Sequence, residues 1–271
     1  MVVEQDALAG DLKNCQVLYL TDRHVSHAAS KTIADWVGSG GRLLATAGAG
    51  MFDELNRPNE AMRALLGVDE QSLEISPDPI RFEKQDLPFA KPICTLFGRE
   101  TTPVFGAKST FTIREKGGAS PELLYSDKAP AFTVRRLGNG RAAYCGFLPG
   151  LAYFKPGIPM RPVDRGTGDD SMAHFMPVEF EPISLSAVDP IELHRPVTCS
   201  ERLVEIMIIE SKHGTLITLV NWSGRPVRDL DVTVHFTLPG EPKLASGNGI
   251  RKVRGAYRLN LDVADAIIFR R

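Results

Sequence analysis

The stretch from residue 16 to residue 46 limits the fold more than any other part of the chain. Gln16-Val17-Leu18-Tyr19-Leu20 is a short apolar run bounded by polar residues, the pattern of a strand buried on both faces of a parallel sheet. It stops at Thr21-Asp22. From Ser26, a residue type favoured at the N-cap, to Gly38, apolar side chains recur at Ala29, Ile33, Trp36 and Val37, which places them on one helical face. Gly40-Gly41 ends the helix, and Arg42-Leu43-Leu44-Ala45-Thr46 reads as a second strand. Strand, helix and strand in this order predict two parallel neighbours joined by a right-handed crossover.

After this unit come Gly48-Ala49-Gly50 and a short helix near residues 59–66, closed by Gly67. Between residues 68 and 130, Pro77, Pro79, Pro88, Pro92, Pro103 and Pro121 exclude long helices and predict short strands and loops. Residues 131–137 and 141–147 are strand-like runs joined by Gly138-Asn139-Gly140, a hairpin signal, and the hairpin is expected to extend the sheet. From residue 154 to about 196 the chain is rich in proline, glycine and acidic residues, Arg165-Gly166-Thr167-Gly168-Asp169-Asp170 being the most loop-like part. Beyond it, residues 203–210, 215–222, 227–236, 257–261 and 266–269 form strand-like runs at the spacing of a β-sandwich. Leu230, Val232, Val234 and Phe236 alternate with Asp231, Thr233 and His235, so one face is expected to be dry and the other wet. The organisation read from these patterns is an α/β domain over residues 1–155, a linker or irregular excursion over 156–198, and a β-sandwich over 199–271.

At 271 residues there is room for two cores. With 43% hydrophobic residues, 24% charged residues and a formal net charge of -1, no basic excess is available to attract nucleic acid or anionic lipid. No apolar run approaches the roughly 18 residues that span a bilayer, and the acidic opening Met1-Val2-Val3-Glu4-Gln5-Asp6 lacks the order of a signal peptide, so the expectation is a soluble, cytoplasmic protein without membrane partners. Cys15, Cys94, Cys145 and Cys199 are scattered, with no C-x-x-C pair, and read as reduced thiols, Cys145 as a small core residue.

In open α/β sheets ligands bind at the carboxyl ends of the strands. Gly48-Ala49-Gly50 lies there, where small residues permit close approach by a ligand but read first as tight strand-to-helix packing. Asp22 and His24 follow the first strand at the same edge. Asp22, His24, Thr46, Gly48, Ala49, Gly50 and Asp53 are therefore the candidate ligand pocket. The third glycine and the downstream acid of a dinucleotide site are missing. His24 and His27 beside Asp22, and Asp169, Asp170 and His174, match no metal-ligand spacing, so neither a metal nor a cofactor is expected. Asp53-Glu54, Asp169-Asp170 and Glu179 with Glu181 are carboxylate pairs by count and read as solvated surface instead of a glycosidase site. Trp36 and Trp222 read as packing residues. Phe147-Leu148-Pro149-Gly150 and Tyr153-Phe154 are candidates for a carbohydrate or partner surface.

Residues 12–68, above all Asp35-Trp36-Val37 followed by Gly40-Gly41-Arg42-Leu43-Leu44-Ala45-Thr46, resemble the class I glutamine amidotransferase-like fold as it occurs in the trimerisation domain of β-galactosidases. The resemblance continues through Pro130-Ala131-Phe132-Thr133-Val134 and Gly138-Asn139-Gly140-Arg141. Leu219-Val220-Asn221-Trp222, Pro226-Val227 and Asp265-Ala266-Ile267-Ile268-Phe269 are similar to the C-terminal β-sandwich of those enzymes. It implies a flavodoxin-like α/β layer followed by an immunoglobulin-like β-sandwich. Active amidotransferases of this fold carry a cysteine nucleophile on a strand-to-helix elbow. Here the elbow is Thr46-Ala47-Gly48, and Ala47, where the sulfur is expected, cannot attack a carbonyl. Thr46 is a conceivable nucleophile for which the sequence supplies no base. The (β/α)₈ barrel of β-galactosidases, about 250 residues, has no room here. The resemblance thus implies a non-catalytic structural module that self-associates, with a homotrimer as the expected form. The alternative is a carbohydrate or small-molecule binding protein, or a weak hydrolase, using the candidate pocket. The chain enters the β-α-β unit at residue 16 without the strand and helix that usually precede it, so it reads as an excised C-terminal piece or a stand-alone relative.

Overall fold

The computed structural model describes residues 3–76, 92–97, 102–114, 119–150 and 195–270. They fall into two compact units, residues up to 150 and residues from 195 onward. The described residues are mostly in strands, with few helices and several sheets.

The first unit opens with α1 (Glu4–Leu8) and a 3-10 turn (Asp11–Asn14). The β-α-β unit follows as β1 (Val17–Leu20), α2 (His27–Gly38) and β2 (Arg42–Ala45). Next come α3 (Glu60–Leu66), β3 (Val68–Ile75), β4 (Cys94–Thr95), β5 (Pro103–Val104), β6 (Ala107–Ile113), β7 (Ser120–Leu124), β8 (Pro130–Leu137) and β9 (Gly140–Cys145). Five of these strands form one sheet in the order β1-β2-β9-β8-β7. β1, β2 and β9 run parallel, whereas β8 and β7 are antiparallel additions. The hairpin does extend the sheet, and it does so by setting its second strand, β9, against β2. β1 was expected to be buried on both faces. Among the described residues it is instead the edge of its sheet, with Tyr19 53% exposed, because it pairs only with β2.

Alternation within the strands divides the core. Leu43 and Ala45 of β2, with Ala142 and Tyr144 of β9, pack against Ala29, Ile33 and Val37 of α2 and Met62, Leu65 and Leu66 of α3. Leu44, Ala143 and Cys145 point the other way, into a second cluster with Leu96, Val104, Tyr125, Phe132 and Phe147. All four cysteines are free, and burial pushes the Cys145 thiol up to about 12.

Local chemistry fixes the helix ends. The Ser26 hydroxyl accepts the Ala29 N–H at 3.1 Å, and Glu54, from a loop beyond β2, accepts the His27 N–H at 2.8 Å. Asn59 caps α3 by accepting the Met62 N–H at 3.1 Å, while its amide donates to the Val25 carbonyl at 2.8 Å and to the Ser30 hydroxyl at 2.9 Å. The turn between β8 and β9 lies against the end of α2. A Cβ at Gly140 would overlap the Val37 carbonyl, and Gly138, at φ +55°, would set one against the Gly38 carbonyl.

β3 and β6 pair antiparallel, Val68 opposite Ile113 and Ile75 opposite Ala107. At eight and seven residues they are longer than the proline content suggests, because no proline falls inside either strand.

In the second unit β10 (Val197–Cys199), β13 (Val227–Val234), β16 (Ala256–Leu261) and β15 (Arg251–Val253) form one antiparallel sheet in the order β10-β13-β16-β15. β11 (Val204–Ser211), β12 (Gly214–Asn221), β17 (Ala264–Arg270) and β14 (Lys243–Leu244) form the other, in the order β11-β12-β17-β14. Ile217, Leu219, Ile267 and Phe269 of one sheet meet Leu230, Val232, Leu259 and Leu261 of the other in a common core, the arrangement of a sandwich. Leu230 and Val232 are fully buried and Val234 and Phe236 partly so, while His235 on the opposite face is exposed. β10 begins at Val197, inside the stretch read as linker; residues 156–194 of that stretch lie outside the described residues.

Asn59→Ala removes a helix cap and leaves the buried Val25 carbonyl without its donor. Urea unfolding is expected to show a loss of about 2–4 kcal/mol, whereas Thr32→Ala, whose hydroxyl makes only an exposed bond to the Ala28 carbonyl, should change the midpoint little.

Candidate functional site

Because β1, β2 and β9 are parallel, their carboxyl ends share one edge. The loops leaving β1 and β2 stay joined there by backbone hydrogen bonds. Thr46 N–H donates to the Leu20 carbonyl at 3.1 Å, Gly50 N–H to Asp22 at 2.8 Å, Phe52 N–H to Arg23 at 3.0 Å and Val25 N–H to Phe52 at 2.9 Å. This brings Asp22, His24, Thr46, Gly50 and Asp53 to one end of the sheet, as the strand order predicts.

Their side chains do separate jobs. Asp22 Oδ1 accepts the His24 N–H at 3.0 Å, and His24 Nε2 lies 3.0 Å from Asn56 Oδ1 with its ring 5.8 Å from that of Phe52. The Arg23 guanidinium sits 5.1 Å over the same Phe52 ring. Asp53 Oδ1 accepts the N–H groups of Arg57 at 2.8 Å and Leu55 at 2.9 Å. The bond from Arg57, with the smaller contribution of Leu55, holds the Asp53 carboxyl below the usual carboxylate range. Glu54 is engaged at the start of α2, so the Asp53-Glu54 pair serves two different loops.

Gly48, Ala49 and Gly50 are buried. Gly48 has φ +78°, and a side chain there would meet Leu73; one at Gly50 would press on Met62 and Leu20. Tight packing therefore accounts for the small residues of this turn. The elbow also differs from that of an active amidotransferase. Residues 47–50 form a turn, α3 begins only at Glu60, and Ala47 is buried with no group to activate. Among the described residues no base is hydrogen-bonded to the Thr46 hydroxyl.

A polar network behind this turn escapes a reading of the sequence. The Gly48 N–H donates to the Tyr144 hydroxyl at 3.0 Å. The Tyr144 and Ser109 hydroxyls each lie 2.8 Å from Glu70 Oε2 and 2.9 Å from one another. Phe111 closes over Tyr144 edge-on, at 5.0 Å and 88°. Burial, then the Glu70 charge, raise the Tyr144 pKa far above that of a free phenol. The only local sign is a tyrosine within the small and apolar run Ala142-Ala143-Tyr144-Cys145.

Of the remaining sequence candidates, Trp36 packs against the helix-side core, Trp222 is 39% exposed with its indole N–H donating to Glu205 at 2.9 Å, and Phe147 is fully buried. Tyr153, Phe154, Asp169, Asp170, His174, Glu179 and Glu181 lie outside the described residues. Among the described residues no three His, Cys, Asp or Glu side chains gather in a manner that would hold a metal, and no helix is long and apolar enough to cross a membrane.

No protein-family model matches the chain, and neither does any curated protein. Solved structures do. Gan42B, a GH42 β-galactosidase of G. stearothermophilus, superposes with TM-score 0.60 at 15% identity over 97% of this chain and 33% of its own. A cold-adapted β-galactosidase of Rahnella sp. R3 gives 0.58 at 16% identity over 97% of this chain and 34% of its own. The β-galactosidase of Bacillus circulans sp. alkalophilus gives 0.55 at 11%, with the same two coverages. At these identities the likeness is one of fold, and the chain spans about a third of the length of those structures.

Tyr144→Phe strips the acceptor from the buried Gly48 N–H and should destabilise the protein by about 1–3 kcal/mol in urea. The pH dependence has a definite sign. A phenol whose folded pKa is raised contributes stability that is complete below its unfolded value of about 10 and is lost as pH rises above it. Between about pH 9 and 11 the Phe variant should therefore lose less stability than the parent; an equal or steeper loss would count against the buried phenol as a source of alkaline sensitivity.

Proposed function

We propose that this chain is a non-catalytic structural and assembly module of a β-galactosidase-type glycoside hydrolase, or of a protein related to one. The observation that carries the reading is the superposition of 97% of the chain on a third of GH42 β-galactosidase structures. In this reading residues 1–155 are a flavodoxin-like, amidotransferase-like layer, residues 156–198 connect, and residues 199–271 are an immunoglobulin-like sandwich. Ala47 at the elbow supports a layer used for architecture instead of acyl transfer. The physical task proposed is self-association, as a homotrimer. Light scattering across a concentration range tests it: a mass near three times 29.7 kDa is expected, and a strict monomer at every concentration would sink the assembly role.

A second reading is favoured by the exposed polar groups at the strand ends. Asp22, His24 and Asn56 converge there on open surface, and with Thr46 and Asp53 they define the surface proposed to take a carbohydrate or another small molecule, Gly48, Ala49 and Gly50 being buried. A ligand that binds only the folded state raises the melting temperature, by a free energy of about 2.7 kcal/mol at a hundredfold excess over Kd. A sugar-induced rise abolished by His24→Ala supports this pocket; a rise indifferent to His24→Ala removes it.

A further inference from the structure

The outer face of the β10-β13-β16-β15 sheet carries a charged arrangement that stability explains only in part. In the pairing of β15 with β16, Arg251 stands directly opposite Arg258, a like-charge pair that cross-strand electrostatics disfavours. Two aspartates offset it. Asp231, opposite Arg258 on β13, accepts two hydrogen bonds from that guanidinium, at 2.6 Å each. Asp229 Oδ1 accepts from Arg251 Nη2 at 3.0 Å. Asp229 reaches Arg251 from an irregularity in β13, where the register shifts between Val227 and Leu230 and its own φ is +53°, and its N–H is held by Asn260 Oδ1 at 3.0 Å. Bulges of this kind re-aim a side chain, and a non-glycine residue at positive φ is uncommon enough to call for a reason. The Asp229–Arg251 pair is exposed, and exposed ion pairs contribute little to stability, so holding the fold together is a weak reason for this conformation of Asp229.

Asp229, Arg251, Arg258 and Asn260 line a groove of about 290 Å³ together with Gly249, Ile250 and Leu259. Several hydrogen-bonding positions remain free among the described residues: the second Asp229 oxygen, the Asn260 amide N–H groups and the remaining N–H groups of Arg251. The two carboxylates and two guanidiniums cancel in charge. An anion entering the groove meets Asp229 and a cation meets Arg251, whereas a hydroxyl both donates and accepts. A vicinal pair of hydroxyls can give its hydrogens to Asp229 while accepting from Arg251 and Asn260. The side chains stand on paired strands, so little ordering is required on binding. The volume lies at the lower end of small-molecule sites, which run from about 300 to 1,000 Å³, and this suits a single ring.

We propose that this groove binds one neutral sugar unit through a vicinal pair of hydroxyls held by Asp229, Arg251 and Asn260. The proposal is independent of both readings of the first unit.

The test is saturation-transfer NMR and calorimetric titration of the whole chain with methyl β-galactopyranoside and methyl β-glucopyranoside. Asp229→Gly keeps the backbone conformation and removes the carboxylate; Arg251→Met keeps the aliphatic stem. Binding of at least one glycoside is expected, weakened about tenfold or more by each substitution, since each removes a hydrogen bond to a charged group. An unchanged melting temperature in at least one of the two variants ties the loss to the site. Lys212→Ala, at an exposed residue of the β11–β12 turn outside both sites, is expected to leave the titration unchanged. No transfer to either glycoside, binding that survives both substitutions, binding that Lys212→Ala abolishes, or a preference for phosphate over both glycosides would each overturn the proposal.

Discussion

The Tyr144 hydroxyl is the interaction on which the first unit depends. A phenol buried this deeply must have its oxygen satisfied, and here that single requirement draws together three distant parts of the chain. Gly48 is 96 residues away, Glu70 is 74 and Ser109 is 35. The turn after β2, the β3–β6 pair and the central strand β9 thereby share one polar point inside an otherwise apolar cluster. Packing alone is tolerant of small slides between elements. A hydroxyl with one acceptor site facing Gly48 and its proton facing Glu70 is not, so the network sets the height at which the β3–β6 pair meets the sheet.

What could be read from the sequence is what local forces decide. The β-α-β unit shows itself through helical periodicity between Ser26 and Gly38 and through apolar runs on either side, and the Gly138-Asn139-Gly140 turn and the alternation from Leu230 to Phe236 are likewise short-range. Strand order is not local. That β1 lies at an edge and β9 lies centrally depends on which strands arrive as neighbours, and no spacing within either strand records it. The candidate site divides along the same line. The sequence brings Asp22, His24 and the Gly48-Ala49-Gly50 turn to one edge, but whether the space above the glycines is filled by Leu73 and Met62 or left for a ligand is decided by side chains many residues away. Glu70 and Ser109 were invisible for the same reason, as was the reach of Glu54 back to the start of α2.

The two units offer different surfaces for function. In the first, the turn after β2 hands its Gly48 N–H to a tyrosine, so its polar capacity is spent internally. In the second, the polar face of the β10-β13-β16-β15 sheet keeps donors and acceptors in reserve. The likeness of fold to about a third of a β-galactosidase structure is compatible with both surfaces.

The central position of β9 also has a consequence for how the chain acquires its structure. β2 ends at Ala45, and its parallel neighbour does not begin until Gly140. Until that late strand arrives, α2 and α3 have only the β1–β2 pair to lie on, with nearly a hundred residues between the end of β2 and the start of β9. Closing a loop of that length carries an entropic penalty before any contact is gained, and topologies with such separations fold slowly. During synthesis, the first unit therefore cannot complete its sheet before Cys145 has left the ribosome.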